Sequence, residues 1–384
     1  MSFISIIVPI FHGKQYMKDV VNQIEECKRK LSKEDRIELI FVNDDPQEAI
    51  PTGFFSELIS VVVLQTDCNR GIHGARVRGL ENSIGKYVLF LDQDDQIAPD
   101  YFLSQMQCIG DNDGVVCQVI HEKKRFYNNI TPFHKIMNKE YLFRNGSPVI
   151  SPGQVLLRRD SIPVLWKTCI IQNNGADDFF LWLCMLAEGR NFVLNEQILF
   201  EHVVKYHSAS LNSYQMMCSE EEVVHVLLDH HVFSDEDNTQ LEKMLQRIRK
   251  KTLDNLDKFR KMFYVLDDWS MSEEEGDMLE NYLVNQEIHC LAVYGFGPLG
   301  KRFIRKLRYS KIQVKYIIDQ NAAFLETEYP TCMLEDDLEE VDAVIITLVQ
   351  SEKEIAKRIR ERTSAKIFMI GEIIESIIKE AHLN

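Results

Sequence analysis

Three carboxylates fall within four positions, Asp92, Asp94 and Asp95, immediately after the apolar run of residues 87–91. So much negative charge at the mouth of a buried strand is costly unless something positive is bound there. Hard divalent cations take oxygen ligands, and Mg²⁺ is commonly held by one or two carboxylates together with substrate phosphates. The spacing therefore points to a divalent metal, Mn²⁺ or Mg²⁺, bound with a phosphorylated ligand. An isolated D-x-D is also compatible with a solvated acidic turn. A second acidic pair, Asp177 and Asp178, opens the aromatic run FFLWLCML. On its own this pair reads as a cap and first turn, where carboxylates suit the positive end of a helix dipole.

Four apolar runs must position these groups. YVLFLDQDD reads as a strand buried on both faces, FISIIVPI and IELIFVNDDP as buried strands of the same pattern, and SVVVLQTDCN as a further strand. Between the first two, Met17, Val20, Val21, Ile24 and Cys27 recur at helical spacing and predict a helix over residues 14–31. Between the last two, Gly71 and Gly74 permit a tight loop before a helix over 75–83. Alternating strands and helices make an α/β fold with a mostly parallel sheet, whose ligand edge lies at the strand C-termini. Asp44, Asn69 and the DQDD turn all fall at such ends, which favours a nucleotide site over a solvated turn. Residues 101–108 read as a helix, GVVCQVI as a strand, and 121–145 as loops over the site.

The chain has 384 residues, 45% of them hydrophobic, and a formal net charge of −15. The length suggests two to three domains. The charge repels phosphate backbones and anionic lipid, so neither nucleic acid nor a membrane surface is expected as a general partner. Lys123–Arg125 and residues 247–251 are local basic runs that could dock an anionic surface, and as ordinary helix or loop faces they need no partner. Nine cysteines without paired CxxC spacing, and no leader before the first strand, suit a reduced cytoplasmic setting. No apolar run approaches the ~18 residues needed to cross a bilayer, so a membrane-borne substrate would be met peripherally, from the cytoplasmic face.

In order and spacing, ISIIVPIF, FVNDD, NRGIHGARVRG and KYVLFLDQDD resemble the N-terminal half of a family 2 glycosyltransferase of the GT-A fold. The resemblance implies transfer of a sugar, with inversion, from a nucleoside diphosphate sugar, UDP-linked by expectation, to a cell-surface glycan or lipid-linked acceptor. It puts Phe11 and Asp44 near the base, with Arg70 and Arg76 lining the same pocket. Asp94 becomes the direct metal ligand and Asp92 a ribose or metal contact. Asp178 matches the family's general base, while Asp177 stands where a glutamate is usual and would face the acceptor. His207, in YHSASL, resembles a closing segment whose histidine can complete the metal shell. His12, Asp45 and Val77 depart from the family pattern. In an inverting transfer one acidic site holds the departing diphosphate through its metal and another takes the acceptor's proton. Asp94 and Asp178 would supply the two.

Residues 214–287 are charged and helical in period, with Leu241, Met244, Leu245, Ile248, Leu253 and Leu256 on one side. One or two amphipathic helices are expected there, packing on a domain or a second subunit of a homo-oligomer. A strand then runs into Gly295-x-Gly297-x-x-Gly300 and a helix, and a second strand ends in Asp319. This is the context of a dinucleotide-binding fingerprint, a second nucleotide site by pattern. It resembles the small Rossmann-like units appended to some bacterial polysaccharide glycosyltransferases. The expected domains are thus a GT-A domain (1–213), a helical linker (214–287) and a Rossmann-like domain (288–384). The rival readings are a nucleotidyltransferase, which would need a triphosphate-binding loop not seen near the start, and a non-catalytic nucleotide-sugar-binding scaffold.

Overall fold

A computed structural model describes residues 2–51, 53, 56–121, 124–125, 133–202, 212–273 and 278–381. The chain divides into two compact units, the first ending at Thr252 and the second beginning at Leu253.

The first unit runs β1 (Phe3–Ile10), α1 (Met17–Lys30), β2 (Arg36–Asn43), β3 (Ser60–Gln65), α2 (Gly71–Glu81), β4 (Tyr87–Phe90), β5 (Gln96–Ile97), α3 (Tyr101–Cys108), β6 (Gly114–His121), β7 (Lys124–Arg125), α4 (Lys139–Asn145), β8 (Val155–Arg158), α5 (Val164–Thr168), α6 (Asp177–Ala187), β9 (Phe192–Glu201), α7 (Ser213–Asp229) and the first part of α8 (Asp235–Glu273). The described strands form one sheet in the order β3-β2-β1-β4-β8-β6-β9-β5, with β7 beside β6. Pairing is parallel from β3 through β4. Beyond β4 the sheet is mixed: β8 runs antiparallel to both β4 and β6, while β6 and β9 are parallel.

The near-continuous apolar runs have a direct cause. In β4 and at the residue after it, Tyr87, Leu89 and Leu91 face one buried cluster while Val88 and Phe90 face the other. In β1, Ile4, Ile6 and Val8 share the first of these and Ile7 faces the second. Helices α1 and α3 cover one face; α2 and α6 cover the other. A strand covered on both faces cannot alternate polar with apolar residues, and its polar residues are confined to its ends.

The second unit contains α9 (Met278–Asn285), β10 (Cys290–Tyr294), α10 (Pro298–Leu307), β11 (Gln313–Ile318), β12 (Thr331–Cys332), β13 (Ala343–Ile346), α11 (Glu352–Arg360), β14 (Lys366–Met369) and α12 (Ile370–Ala381). Its sheet has the order β12-β11-β10-β13-β14, and every described pairing is parallel. Among the described residues the helical segment holds α7, α8 and α9 where one or two helices were expected, and the boundary between units falls inside α8. Leu241, Met244 and Leu245 are buried in the first unit, but Leu253 and Leu256, expected on the same side, are 58% and 42% exposed. Among the described residues, no helix is long and apolar enough to cross a membrane.

Candidate active site

β1, β2 and β4 are adjacent and parallel, so their C-terminal ends deliver Phe11, Asp44 and the DQDD turn to one edge of the sheet. Phe11 is 45% exposed. Its backbone N–H donates to Gln93 Oε1, and Gln93 Nε2 donates back to the Phe11 carbonyl, both at 3.2 Å. The end of β1 is thus clamped to the acidic turn. Asp44 is buried, and its Oδ1 accepts from the Arg70 amide at 2.9 Å and from Thr66 Oγ1 at 3.2 Å. Burial pushes its pKa upward against those bonds. Asp44 therefore holds the loop that carries Arg70, whose side chain is exposed.

Arg76 differs from its expected place in the nucleotide pocket. Its side chain is 3% exposed; one terminal nitrogen donates to Asp177 Oδ2 at 2.6 Å and the other to Asp92 Oδ1 at 2.5 Å. A helix that packs under the sheet edge has brought a guanidinium between the two acidic stretches. Burial disfavours its charge, but Asp177 and Asp92 outweigh that and raise its pKa. Asp177, expected toward the acceptor, is buried beneath the site and occupied by Arg76.

Asp178 follows at the first turn of α6. Burial and then the neighbouring Asp177 push its pKa up to about 7, against the pull of Arg76. Its Oδ1 accepts from the Phe179 amide at 2.6 Å. The start of α6 is fixed by a relay through His73. His73 Nδ1 accepts from the Ile171 amide at 3.1 Å, so Nε2 carries the proton and donates to the Trp166 carbonyl at 3.0 Å. Trp166 Nε1 in turn donates to the Asp177 carbonyl at 2.8 Å. Burial lowers the His73 pKa, which keeps the ring neutral in this role.

Asp95 is buried and held from two sides, by Ser151 Oγ at 2.8 Å and His202 Nδ1 at 2.9 Å. The bond to Asp95 raises the His202 pKa in spite of partial burial. His202 reaches the turn because β9 pairs with β5, Glu201 lying opposite Gln96. Nothing in the sequence near His202 signals this, since the partner lies 107 residues away. Ser151, His73 and Trp166 were equally invisible. His207 lies outside the described residues.

Asp92, Asp94, Asp95, Asp177 and Asp178 share this edge with Arg76 and His202. Carboxylate oxygens in excess over nearby cations suit a hard divalent ion. Asp94, the metal ligand that the family resemblance implies, lies half-buried in the same turn. A separate group, His12 with Asp45 and Glu48, brings ligand-type atoms within 4.8 Å of one another. There, His12 Nδ1 lies 3.1 Å from Asp45 and Lys14 Nζ 3.4 Å from Glu48, so the acids already have basic partners.

In the second unit, Gly295 has φ +96°, a conformation that favours glycine. A Cβ on Gly300 would meet the Gly295 carbonyl oxygen at 2.1 Å, whereas one on Gly297 would meet nothing within 4 Å. Asp319 does not stand open for a ribose. Its Oδ2 accepts from the Phe296 amide and its Oδ1 from the Asn321 amide, both at 2.9 Å. The carboxylate ties the glycine loop to the end of β11. A cavity of about 270 Å³ lies beside it, lined by Tyr294, Asp319, Gln320, Glu335 and Arg358 among others.

The first unit is an α/β domain of the GT-A type, with its acidic turn at the C-terminal end of the central strand. Residues 5–176 match the model of glycosyl transferase family 2. EpsH of Bacillus subtilis is 26% identical over 122 residues, 31% of this chain and 34% of that protein. An uncharacterized glycosyltransferase of Haemophilus influenzae is 29% identical over 210 residues, 53% of this chain and 77% of the relative. The glycosyltransferase GlyA of Streptococcus pneumoniae is 33% identical over 100 residues, 26% of this chain; the match spans only 14% of GlyA, as it spans about a third of EpsH. Among solved structures, S. aureus TarS 1-349 in complex with UDP-GlcNAc aligns with a TM-score of 0.45 at 16% identity, covering 65% of this chain and 71% of TarS 1-349.

Proposed function

We propose that the chain is an inverting glycosyltransferase that moves a sugar from a nucleoside diphosphate sugar, UDP-linked, to a hydroxyl of a cell-surface glycan or lipid-linked acceptor. The observation that carries this reading is the bridge from Asp92 through Arg76 to Asp177, which joins the metal-type turn to the helix bearing Asp178. Asp178, with a pKa raised to about 7, is matched to taking a proton near neutral pH. In the proposed step the acceptor hydroxyl attacks the anomeric carbon as Asp178 accepts its proton. The bond from that carbon to the diphosphate breaks, and the nucleoside diphosphate leaves. A divalent ion held by Asp94, with Asp92 and His207 as further candidates, would neutralise charge growing on the diphosphate. Phe11, Asp44 and Arg70 form the edge against which the base and ribose would lie. Gly295, Gly297 and Gly300, with Asp319 holding their loop, remain a candidate second nucleotide site of the C-terminal unit. By function the chain then divides into a glycosyltransferase domain (1–213), a helical linker (214–287) and a Rossmann-like domain (288–384).

The test is turnover of a panel of nucleotide sugars by the full chain. One UDP-sugar should release UDP with Mn²⁺ present and stop releasing it on chelation. Release of pyrophosphate from a nucleoside triphosphate, with no nucleotide-sugar turnover, would overturn the reading.

A further inference from the structure

The loop ahead of Asp177, residues 172–176, is held from outside by α7, a helix that the proposed chemistry does not use. Glu222, half-buried on α7, grips it with both carboxylate oxygens. Oε1 accepts from the Gln172 amide at 2.6 Å, and Oε2 accepts from the Asn173 amide and from Asn173 Nδ2, both at 2.8 Å. Three residues earlier on the same helix face, the buried Ser219 hydroxyl donates to the Asn173 carbonyl at 2.7 Å and accepts from the Ala176 amide at 2.9 Å. Two side chains of α7 thus take up the main chain at Gln172, Asn173 and Ala176.

The hold matters because the start of α6 has no cap of its own. Its N-cap is Ala176, whose side chain offers no acceptor to the first-turn amides, and Asp177 and Asp178 occupy that turn. Gly175 has φ +134°, and a Cβ there would meet Met216 Sδ, again from α7, at 2.3 Å. The chain therefore turns into α6 directly against this helix. The same loop is tied to α2, the helix of Arg76, because Asn174 Oδ1 accepts from the Ile72 amide at 3.0 Å. α7 is itself anchored by Val223, Val224 and Leu227, buried in the cluster that contains Phe180 and Trp182 of α6.

We propose that Glu222 and Ser219 are positioning residues for sugar transfer, fixing the turn from which Asp178 meets the acceptor hydroxyl. The inference rests on the role proposed for Asp178. The first helix of the linker would then take part in the site without contributing an atom to the chemistry.

The experiment is steady-state transfer by the full chain, using the UDP-sugar for which the parent shows Mn²⁺-dependent UDP release. A small displacement of a catalytic group costs up to about 10²-fold in rate. Glu222→Ala and Ser219→Ala should each lower kcat by about ten- to a hundredfold and leave the donor KM within about twofold. Glu222→Gln keeps one acceptor oxygen and should recover part of the loss. Glu221→Gln, one residue away and paired instead with Arg249, should turn over like the parent. Amide hydrogen exchange needs no substrate: in Glu222→Ala it should quicken over residues 172–178 while β1 and β4 keep parental protection. Parental exchange over 172–178, or a lowered melting temperature with parental kcat in both alanine variants, would overturn the proposal. A parent that turns over no nucleotide sugar, together with the faster exchange in Glu222→Ala, would support the contact and overturn the transferase reading on which its role rests.

Discussion

The Arg76 guanidinium stands between Asp92 and Asp177, 2.5 Å from one carboxylate and 2.6 Å from the other, and is itself 3% exposed. Removing one partner of a buried charge network leaves the others uncompensated, which typically costs about 3–5 kcal/mol. Arg76→Met should therefore destabilise the first unit by about that amount in urea unfolding. Arg76→Lys keeps the charge but not the planar fork that reaches two acids at once, and should recover only part of the loss. Equal stability of Arg76→Met and the parent would show that the bridge is not structural.

Asp178 gives a signed dependence on pH. Its folded pKa of about 7 lies above the ordinary aspartate value, so the folded state binds more protons than the unfolded state between the two. Its contribution to stability accordingly declines as pH rises from about 4 to 7. Asp178→Asn removes that decline, and its melting temperature should match or exceed the parent's at pH 8. Turnover has the opposite slope, because only the carboxylate accepts a proton: the rate should rise through pH 7 and then level. A rate that is flat from pH 5 to pH 8 would contradict the role given to Asp178.

His202 makes an independent prediction. Its pKa is raised, chiefly by the bond to Asp95, so its stabilising contribution is complete below the ordinary histidine value of about 6.5 and is lost as pH rises through the folded value. The difference in melting temperature between the parent and His202→Gln should shrink with increasing pH over that window. A difference that does not change with pH would mean that the imidazole holds Asp95 only by packing and neutral hydrogen bonding.

β1, β2 and β4 were legible because burial on both faces leaves a short apolar run that ends in polar turn residues; β3, at the sheet edge, is only half-buried, and the apolar run of α6 is a helix. The acidic turn was legible for the same reason, its carboxylates marking where the core stops. The roles of Arg76 and Asp177 were not. A buried arginine looks in sequence like a phosphate-binding one, and what distinguishes them is a neighbour 101 residues away. His202 and Ser151 meet Asp95 through strand pairings that no local pattern encodes. Leu253 and Leu256 show the converse, since helical spacing identifies an apolar face without saying whether protein covers it.

The glycine loop of the second unit separates two consequences of one substitution. Gly300→Ala places a methyl group 2.1 Å from the Gly295 carbonyl oxygen, while Gly297→Ala meets open space. Overpacking of this kind costs about 1–3 kcal/mol. In calorimetry of the full chain, Gly300→Ala should lower the transition of the second unit by several degrees, and Gly297→Ala should leave it close to the parent's. Equal effects would show that the loop relaxes freely.

The central claim is that Asp178 takes the acceptor's proton, and the direct measurement is single-turnover sugar transfer by Asp178→Asn at pH 8 with Mn²⁺ and a saturating nucleotide sugar. The account predicts donor affinity close to the parent's and a transfer rate lower by about 10²–10⁴-fold, the usual contribution of a positioned base. Transfer at the parental rate would contradict it.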